Sequence, residues 1–218
     1  MIRQFGWNEF ELLVVAARWT IILAIIAFIG GGIGGLIVAL LRTADSRAAR
    51  TAMIVFIRVF QGTPLLMQLF LAYFGMTIFG FNVNPLIAAM IALTAHASAY
   101  LGEIWRGCIQ AVPRGQTEAA TTLGLHYFAR MRYVVLPQAA RIAVPPTVGF
   151  LVQLLKETSL ASIIGFVELT RQGQIITSVT FRPFLVYGLV AALYFAMCWP
   201  LSLAAQRMER GLSRGTQR

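Results

Sequence analysis

The chain has 218 residues, 58% of them hydrophobic and only 12% charged, with a formal net charge of +10 and a mean hydropathy of +0.75. That is too apolar and too sparsely charged for an ordinary water-soluble domain, and it reads as a polytopic membrane protein. The positive charge does not point to nucleic acid, because the basic residues are scattered in loops between apolar runs rather than gathered on one polar face.

Residues 1–18 hold Arg3, Glu9, Glu11 and Arg18 among Phe5, Trp7 and Phe10, and read as a short amphipathic lead-in at the membrane interface. The first uncharged run, 19–41, has 23 residues. It exceeds a secretory h-region and fits a full span of about 20 residues, so no cleaved signal is read here. Gly30/Gly34 and Gly31/Gly35 fall four apart on one face, where helices can approach closely. Such a seam either repacks during transport or packs statically.

A short basic loop, 42–50, contains Asp45 and leads to a second span, 53–74, interrupted by Gly62-Thr63-Pro64. Proline removes a helix hydrogen bond, so the rod must bend or leave carbonyls to neighbours. The bend either shapes a pathway past Thr63 or is purely structural. Gly80, Asn82, Asn84 and Pro85 then supply a turn into the third span, 85–108. His96 and Ser98 lie at membrane depth in it, as ligand contacts or as interhelical hydrogen bonders. Glu103 and Arg106, three apart, can pair on one face and read as structural. Cys108 and Cys198 lack metal-type spacing and read as small buried hydrophobes.

Residues 113–137 form the longest polar insertion. Pro113 and Gly115 break what precedes; Thr117 can cap a short helix, with Glu118 in its first turn, and Gly124 can end it. A second amphipathic segment runs from His126 until Pro137 stops it, giving two short helices at an angle on the membrane surface.

Arg141 and Pro145-Pro146 mark the entry into a fourth span, 142–167. Its first fourteen uncharged residues, 142–155, carry a helix roughly 21 Å, so Lys156-Glu157-Thr158-Ser159 falls past the midplane. Ionisable groups at that depth usually face a bundle interior or a wet cavity, which makes Glu157, with Thr158 and Ser159, the leading substrate-pathway candidates. An internal ion pair is the competing reading. Residues 166–182, with Glu168, Arg171 and Gly173, read as an outer loop at a gate or receptor-docking surface, before a fifth span, 183–205, and a basic tail, 207–218.

Glu118-Ala119-Ala120, three residues, Gly124, nine residues, then Val134-Val135-Leu136-Pro137 resembles the cytoplasmic coupling motif of the membrane subunits of bacterial ABC importers, with Val134 where that pattern has Ile. Gln61-Gly62-Thr63-Pro64-Leu65, Tyr100-Leu101-Gly102-Glu103-Ile104-Trp105-Arg106-Gly107, Lys156-Glu157-Thr158-Ser159-Leu160 and Glu168-Leu169-Thr170-Arg171 are similar to the polar amino-acid branch, the His/Glu/Gln/Arg type. Gln61 departs from it, since related sequences often carry Arg there.

The resemblance implies a single all-α permease domain, a five-span membrane helical bundle with a cytoplasmic coupling loop. It implies a second permease subunit, identical or paralogous, two cytosolic ATPase subunits that bind ATP and Mg, and an external substrate-binding protein, in a bacterial inner membrane. Glu118, Ala119, Ala120, Gly124, Leu136 and Pro137 would couple to the ATPase, and Thr63, His96, Ser98, Glu157, Thr158 and Ser159 would line the substrate pathway. Thirteen Lys and Arg fall on the side of the coupling segment and four on the other, so the positive-inside rule puts the N-terminus outside and the C-terminus in the cytoplasm.

No ATP-binding loop is in the chain, whose single Lys, Lys156, sits in an apolar run. His96 and His126 join no Cys/His/carboxylate cluster, so no catalytic, cofactor or metal site is read in it. The rival from another class is a passive channel or ion-coupled carrier with a His96, Glu103 and Glu157 relay, which predicts uptake that follows the proton gradient after ATP depletion. A membrane scaffold recruiting a protein through 116–137 predicts binding without solute flux.

Overall fold

A computed structural model of the chain describes residues 4–43 and 46–216; Arg3, Asp45 and the end of the basic tail lie outside them. Among the described residues the structure is all-helical. The first helix, α1 (Trp7–Thr43), runs unbroken. The expected lead-in and first span are one rod because neither Gly nor Pro interrupts it before Gly30, and the Glu9 carboxylate caps its start by accepting from Gly6 N at 2.8 Å. At the standard rise its 37 residues reach about 55 Å, longer than a hydrocarbon core of about 30 Å.

The glycine face of α1 packs on α5 (Pro85–Gln110), which starts at the Asn84 side-chain cap. A Cβ on Gly30 would stand 2.9 Å from Thr94 Cγ2, one on Gly35 2.9 Å from Leu101 Cβ, and those on Gly31 and Gly34 would run into Ala97 and Ser98. Gly102 on α5 returns the fit, its own Cβ position lying 2.5 Å from Val38 Cγ1. Backbones meet here as in small-residue membrane interfaces.

Between them, α2 (Arg47–Gly62), capped by Ser46, turns through 104° into α3 (Leu65–Phe70), a π-helical turn (Leu71–Gly75) and α4 (Met76–Ile78). The bend expected at Thr63-Pro64 is thus a full break. Gln68 fills it, its Nε2 donating to Phe60 O at 2.7 Å and to Thr63 O at 3.0 Å. These are carbonyls that a straight helix would satisfy itself. Among the described residues four helical stretches are long and apolar enough to cross a membrane, and the bent pair brings the number to five if it counts as one span.

After α5 come α6 (Arg114–Thr122), α7 (Tyr127–Arg130), a π-helical turn (Met131–Val135) and α8 (Leu136–Glu157), which ends in a 3-10 turn (Thr158–Ser162). Pro137 does not stop the helix. It sits in the first turn of α8, where its missing N–H costs little, and the wider π turn before it takes up the misfit while Gln138 Nε2 donates to Val134 O at 2.9 Å. The fourth span therefore begins well before residue 142, and Pro145 and Pro146 lie inside it rather than at its entry. Residues 166–182, expected as a loop, contain α9 (Leu169–Thr180), whose buried Leu169, Gly173, Ile176 and Thr180 repeat at helical spacing. The chain ends in α10 (Pro183–Thr216).

Two larger apolar cores result among the described residues, beside a small one at residues 112–139. One joins the middle of α1 (Leu23, Ala27) to α3, α5 and α8 through Leu69, Leu93, Leu101, Phe150 and Leu154. The other joins the N-terminal part of α1 (Leu13, Ala17) to α9 and α10 through Leu169, Ile176, Val186 and Val190.

Candidate functional site

Residues 113–137 fold into an elbow. α6 begins at Pro113 rather than at Thr117, because the ring holds φ at −55° and leaves the helix no first donor to lose. Thr117 lies inside the helix, accepting from the Thr121 hydroxyl at 2.8 Å through its carbonyl. Gly124 ends the helix with φ +77°, and Leu125 N donates to Ala120 O at 3.1 Å while Gly124 N donates to Thr121 O at 2.9 Å. This is a Schellman ending, in a conformation that a side chain with Cβ resists. His126 then caps α7, and the Arg130 guanidinium ties the two short helices by donating to Thr121 Oγ1 at 2.9 Å.

Val112, Val135 and Ala139 form a small core at this end of the chain, and Tyr127 reaches Thr43 O at the end of α1 at 3.4 Å. Ala120 is 3% exposed, so its small size serves packing within the chain, whereas Glu118 and Ala119 face outward. Leu136 is half-buried and Pro137 exposed at the junction with α8. Sequence reasoning missed the outermost apolar residues: Leu123 is 81% exposed, Phe128 79% and Tyr133 74%. Their signal was available as large apolar side chains inside an otherwise polar insertion. Close by, Glu103 accepts from Arg106 Nε at 2.9 Å and lies 3.9 Å from Arg42 Nη2, so the expected helix pair also clips α5 to α1.

A second polar assembly sits inside the bundle. His96, 4% exposed, places Nδ1 3.1 Å from Gln68 Oε1 and Nε2 3.6 Å from Glu157 Oε2. Gln68 Nε2 is also 3.0 Å from Thr63 Oγ1, and Gln153 Nε2 donates to Glu157 Oε1 at 2.8 Å. Thr63, His96 and Glu157, far apart in sequence, thus meet at the break between α2 and α3, with Gln68 as the link the sequence reading lacked. His96 Nε2 and Glu157 Oε2 are buried with no hydrogen-bond partner among the described residues, a costly state that invites a polar guest. Lys156 is exposed, and no ion pair joins it to Glu157.

The other pathway candidates lie apart. Ser98 donates to Thr94 O at 2.7 Å on the glycine seam, Thr158 is fully buried on Leu155 O, and Ser159 donates to Lys156 O.

Among the described residues, four or five helices long and apolar enough to cross a membrane, a polar cluster at the broken pair and a capped elbow at one end define a helical membrane bundle. Residues 31–218 match the family described as binding-protein-dependent transport system inner membrane component, and the chain belongs to it. It is 35% identical over 214 residues to the glutamine transport system permease protein GlnP of Escherichia coli K12, covering 95% of this chain and 97% of that one. It is 39% identical over 215 residues to the L-cystine transport system permease protein TcyB of Bacillus subtilis 168, covering 98% and 91%. Among solved structures, an amino acid ABC transporter crystallised with histidines superposes with a TM-score of 0.88 at 40% identity, over 92% of this chain and 94% of that one. The MetNI methionine ABC transporter shares the fold, with a TM-score of 0.81 at 22% identity over 95% and 99%.

Proposed function

We propose that this chain is the transmembrane subunit of an ATP-driven importer for a polar or charged L-amino acid. It works with a second permease subunit, an external receptor and two cytosolic ATPase subunits that bind ATP and Mg. The observation that carries the reading is the elbow of residues 113–137: a rigid, exposed module at one end of a membrane bundle, presenting Glu118, Ala119, Leu123, Gly124 and Phe128 to a partner. The named amino-acid transporters among its relatives support the substrate class.

In this reading closure of the ATPase pair moves the elbow, and the spans rooted in it tilt between outward and inward access. The N-terminus lies outside and the C-terminus in the cytoplasm, as the distribution of Lys and Arg favours. Copurification with the subunits encoded beside it, followed by a screen of amino acids for stimulated ATPase activity, tests the whole. A permease that copurifies with no ATPase, or a complex that no amino acid stimulates, contradicts it.

Inside the bundle, Glu157 and His96 offer one acceptor and one ring nitrogen to the cargo, with Thr63 behind Gln68. A carboxylate with one oxygen left without a hydrogen bond suits an amino or cationic group. Glu157→Gln keeps the shape and the Gln153 contact but removes the charge. It is expected to lower substrate-stimulated uptake about tenfold, the loss of one charged hydrogen bond, while assembly and unstimulated hydrolysis stay unchanged. Unaltered uptake would remove Glu157 from the pathway.

A further inference from the structure

Glu168 is fully buried, and its carboxylate collects four donors from three helices. Oε1 accepts from Arg171 N at 2.9 Å, and Oε2 accepts from Thr170 N at 2.9 Å, from the Tyr194 hydroxyl of α10 at 2.8 Å and from the Thr20 hydroxyl of α1 at 3.3 Å. Thr20 Oγ1 in turn accepts from Leu169 N at 3.2 Å, and Thr170 Oγ1 lies 3.1 Å from the Tyr194 oxygen. A helix cap needs only the two backbone donors, for which Asp or Ser suffices. The longer Glu side chain reaches past them to side chains 148 and 26 residues away.

Beneath this carboxylate lies the apolar core of Leu13, Ala17, Leu169, Ile176, Val186 and Val190, and a Cβ at Gly173 would stand 2.8 Å from Val190 Cγ2. The chain enters this region through Gly165 at φ +91° and the exposed Val167. The turn is open on one side of α9, while the other side is fastened.

We propose that Glu168 is a positioning residue that fastens α9 to α1 and α10 throughout the transport cycle, so that α9 is a fixed part of the frame and not a lid. Lifting α9, with Glu168 as its cap, would strip the buried carboxylate of the Thr20 and Tyr194 donors together and break the Leu169 N–Thr20 and Thr170–Tyr194 contacts with them. Access at the end opposite the elbow then changes elsewhere, at the break between α2 and α3 or at the 3-10 turn that closes α8. The inference rests on the importer reading above.

The test uses the full transporter, with its ATPase and receptor, in proteoliposomes supplied with a radiolabelled L-amino-acid mixture. Cys108 and Cys198 are first replaced by Ser, and Gly173→Cys with Val190→Cys then allows a disulfide between α9 and α10. Uptake is expected to stay within about twofold of the reduced protein when the staple is closed, since a bond across a joint that does not move costs nothing. Glu168→Ala is expected to lower uptake per assembled transporter at least about tenfold and the closed staple to restore most of it, which loss of a cargo contact does not permit, while an unchanged yield and unfolding temperature of the reduced variant exclude the folding defect that a disulfide would also relieve. Uptake lost on oxidation and recovered on reduction overturns the proposal, as does full uptake in Glu168→Ala or failure of the staple to rescue it. If Glu168→Ala does not accumulate, Tyr194→Phe and the staple in the otherwise intact protein decide the matter. No ATP-driven uptake by the unsubstituted transporter would instead sink the importer reading.

Discussion

Leu123→Asp is expected to uncouple the transporter. Leu123 is 81% exposed at the end of α6, immediately before the left-handed Gly124, and no described residue covers it. A large apolar side chain held outward on a polar module is the kind of anchor that fills a partner's pocket, and placing a carboxylate there buries an unpaired charge at the contact. The cost is about 2 kcal/mol or more, roughly 30-fold in affinity for the ATPase. Phe128→Asp, 79% exposed on α7, should act in the same direction. Neither side chain contributes to the core of Val112, Val135 and Ala139, so membrane insertion and helix content should be retained. Copurification of the ATPase and ATP-driven uptake are the measurements; wild-type levels of both would take Leu123 out of the interface.

Gly31→Leu is expected to be the most damaging single change to the fold. A Cβ at Gly31 would collide with Ala97, and α1 and α5 have no slack there, since Gly35 and Gly102 are filled just as closely by Leu101 and Val38. The helices must separate, and overpacking of this kind costs typically 1–3 kcal/mol, with more when backbones rather than side chains have to move. The same substitution at Gly107, which faces open space on α5, should cost nothing in packing and gain the helix propensity of Leu over Gly. Thermal unfolding of the detergent-solubilised protein, compared for the two variants, gives the answer. Equal stability would mean that the seam opens freely, and would favour a repacking role for it over static packing.

Much of this was legible in the residues themselves. Uncharged runs of about span length located the long helices, the four-residue glycine spacing located the face of α1, and Thr63-Pro64 located the break. Gly124 announced a helix end, and the helix stops there with φ +77°. Four things were hidden for physical reasons. Gln68 gives no local signal: its side chain is needed only because Pro64 frees carbonyls that lie beside it after the chain has turned through 104°. Pro137 reads as a stop, yet a π turn one residue upstream absorbs the misfit and lets α8 continue from the elbow into the membrane. α9 was masked by its polar residues, Thr170, Arg171, Gln172 and Gln174, although Leu169, Gly173, Ile176 and Thr180 carry the helical period. The contacts that join His96 to Glu157 and Glu168 to Thr20 are long-range, and no spacing rule reaches across 61 or 148 residues.

The outward-facing residues of α6 are expected to contact a nucleotide-hydrolysing subunit on the cytoplasmic side. Ala119→Cys, in a protein with Cys108 and Cys198 replaced by Ser, places a single thiol on the exposed face of that helix. Its reaction with a membrane-impermeant maleimide should occur in inverted vesicles and not in intact right-side-out ones, and the assembled ATPase should block it. Labelling from the outside, or labelling that the ATPase leaves unchanged, would rule out that contact.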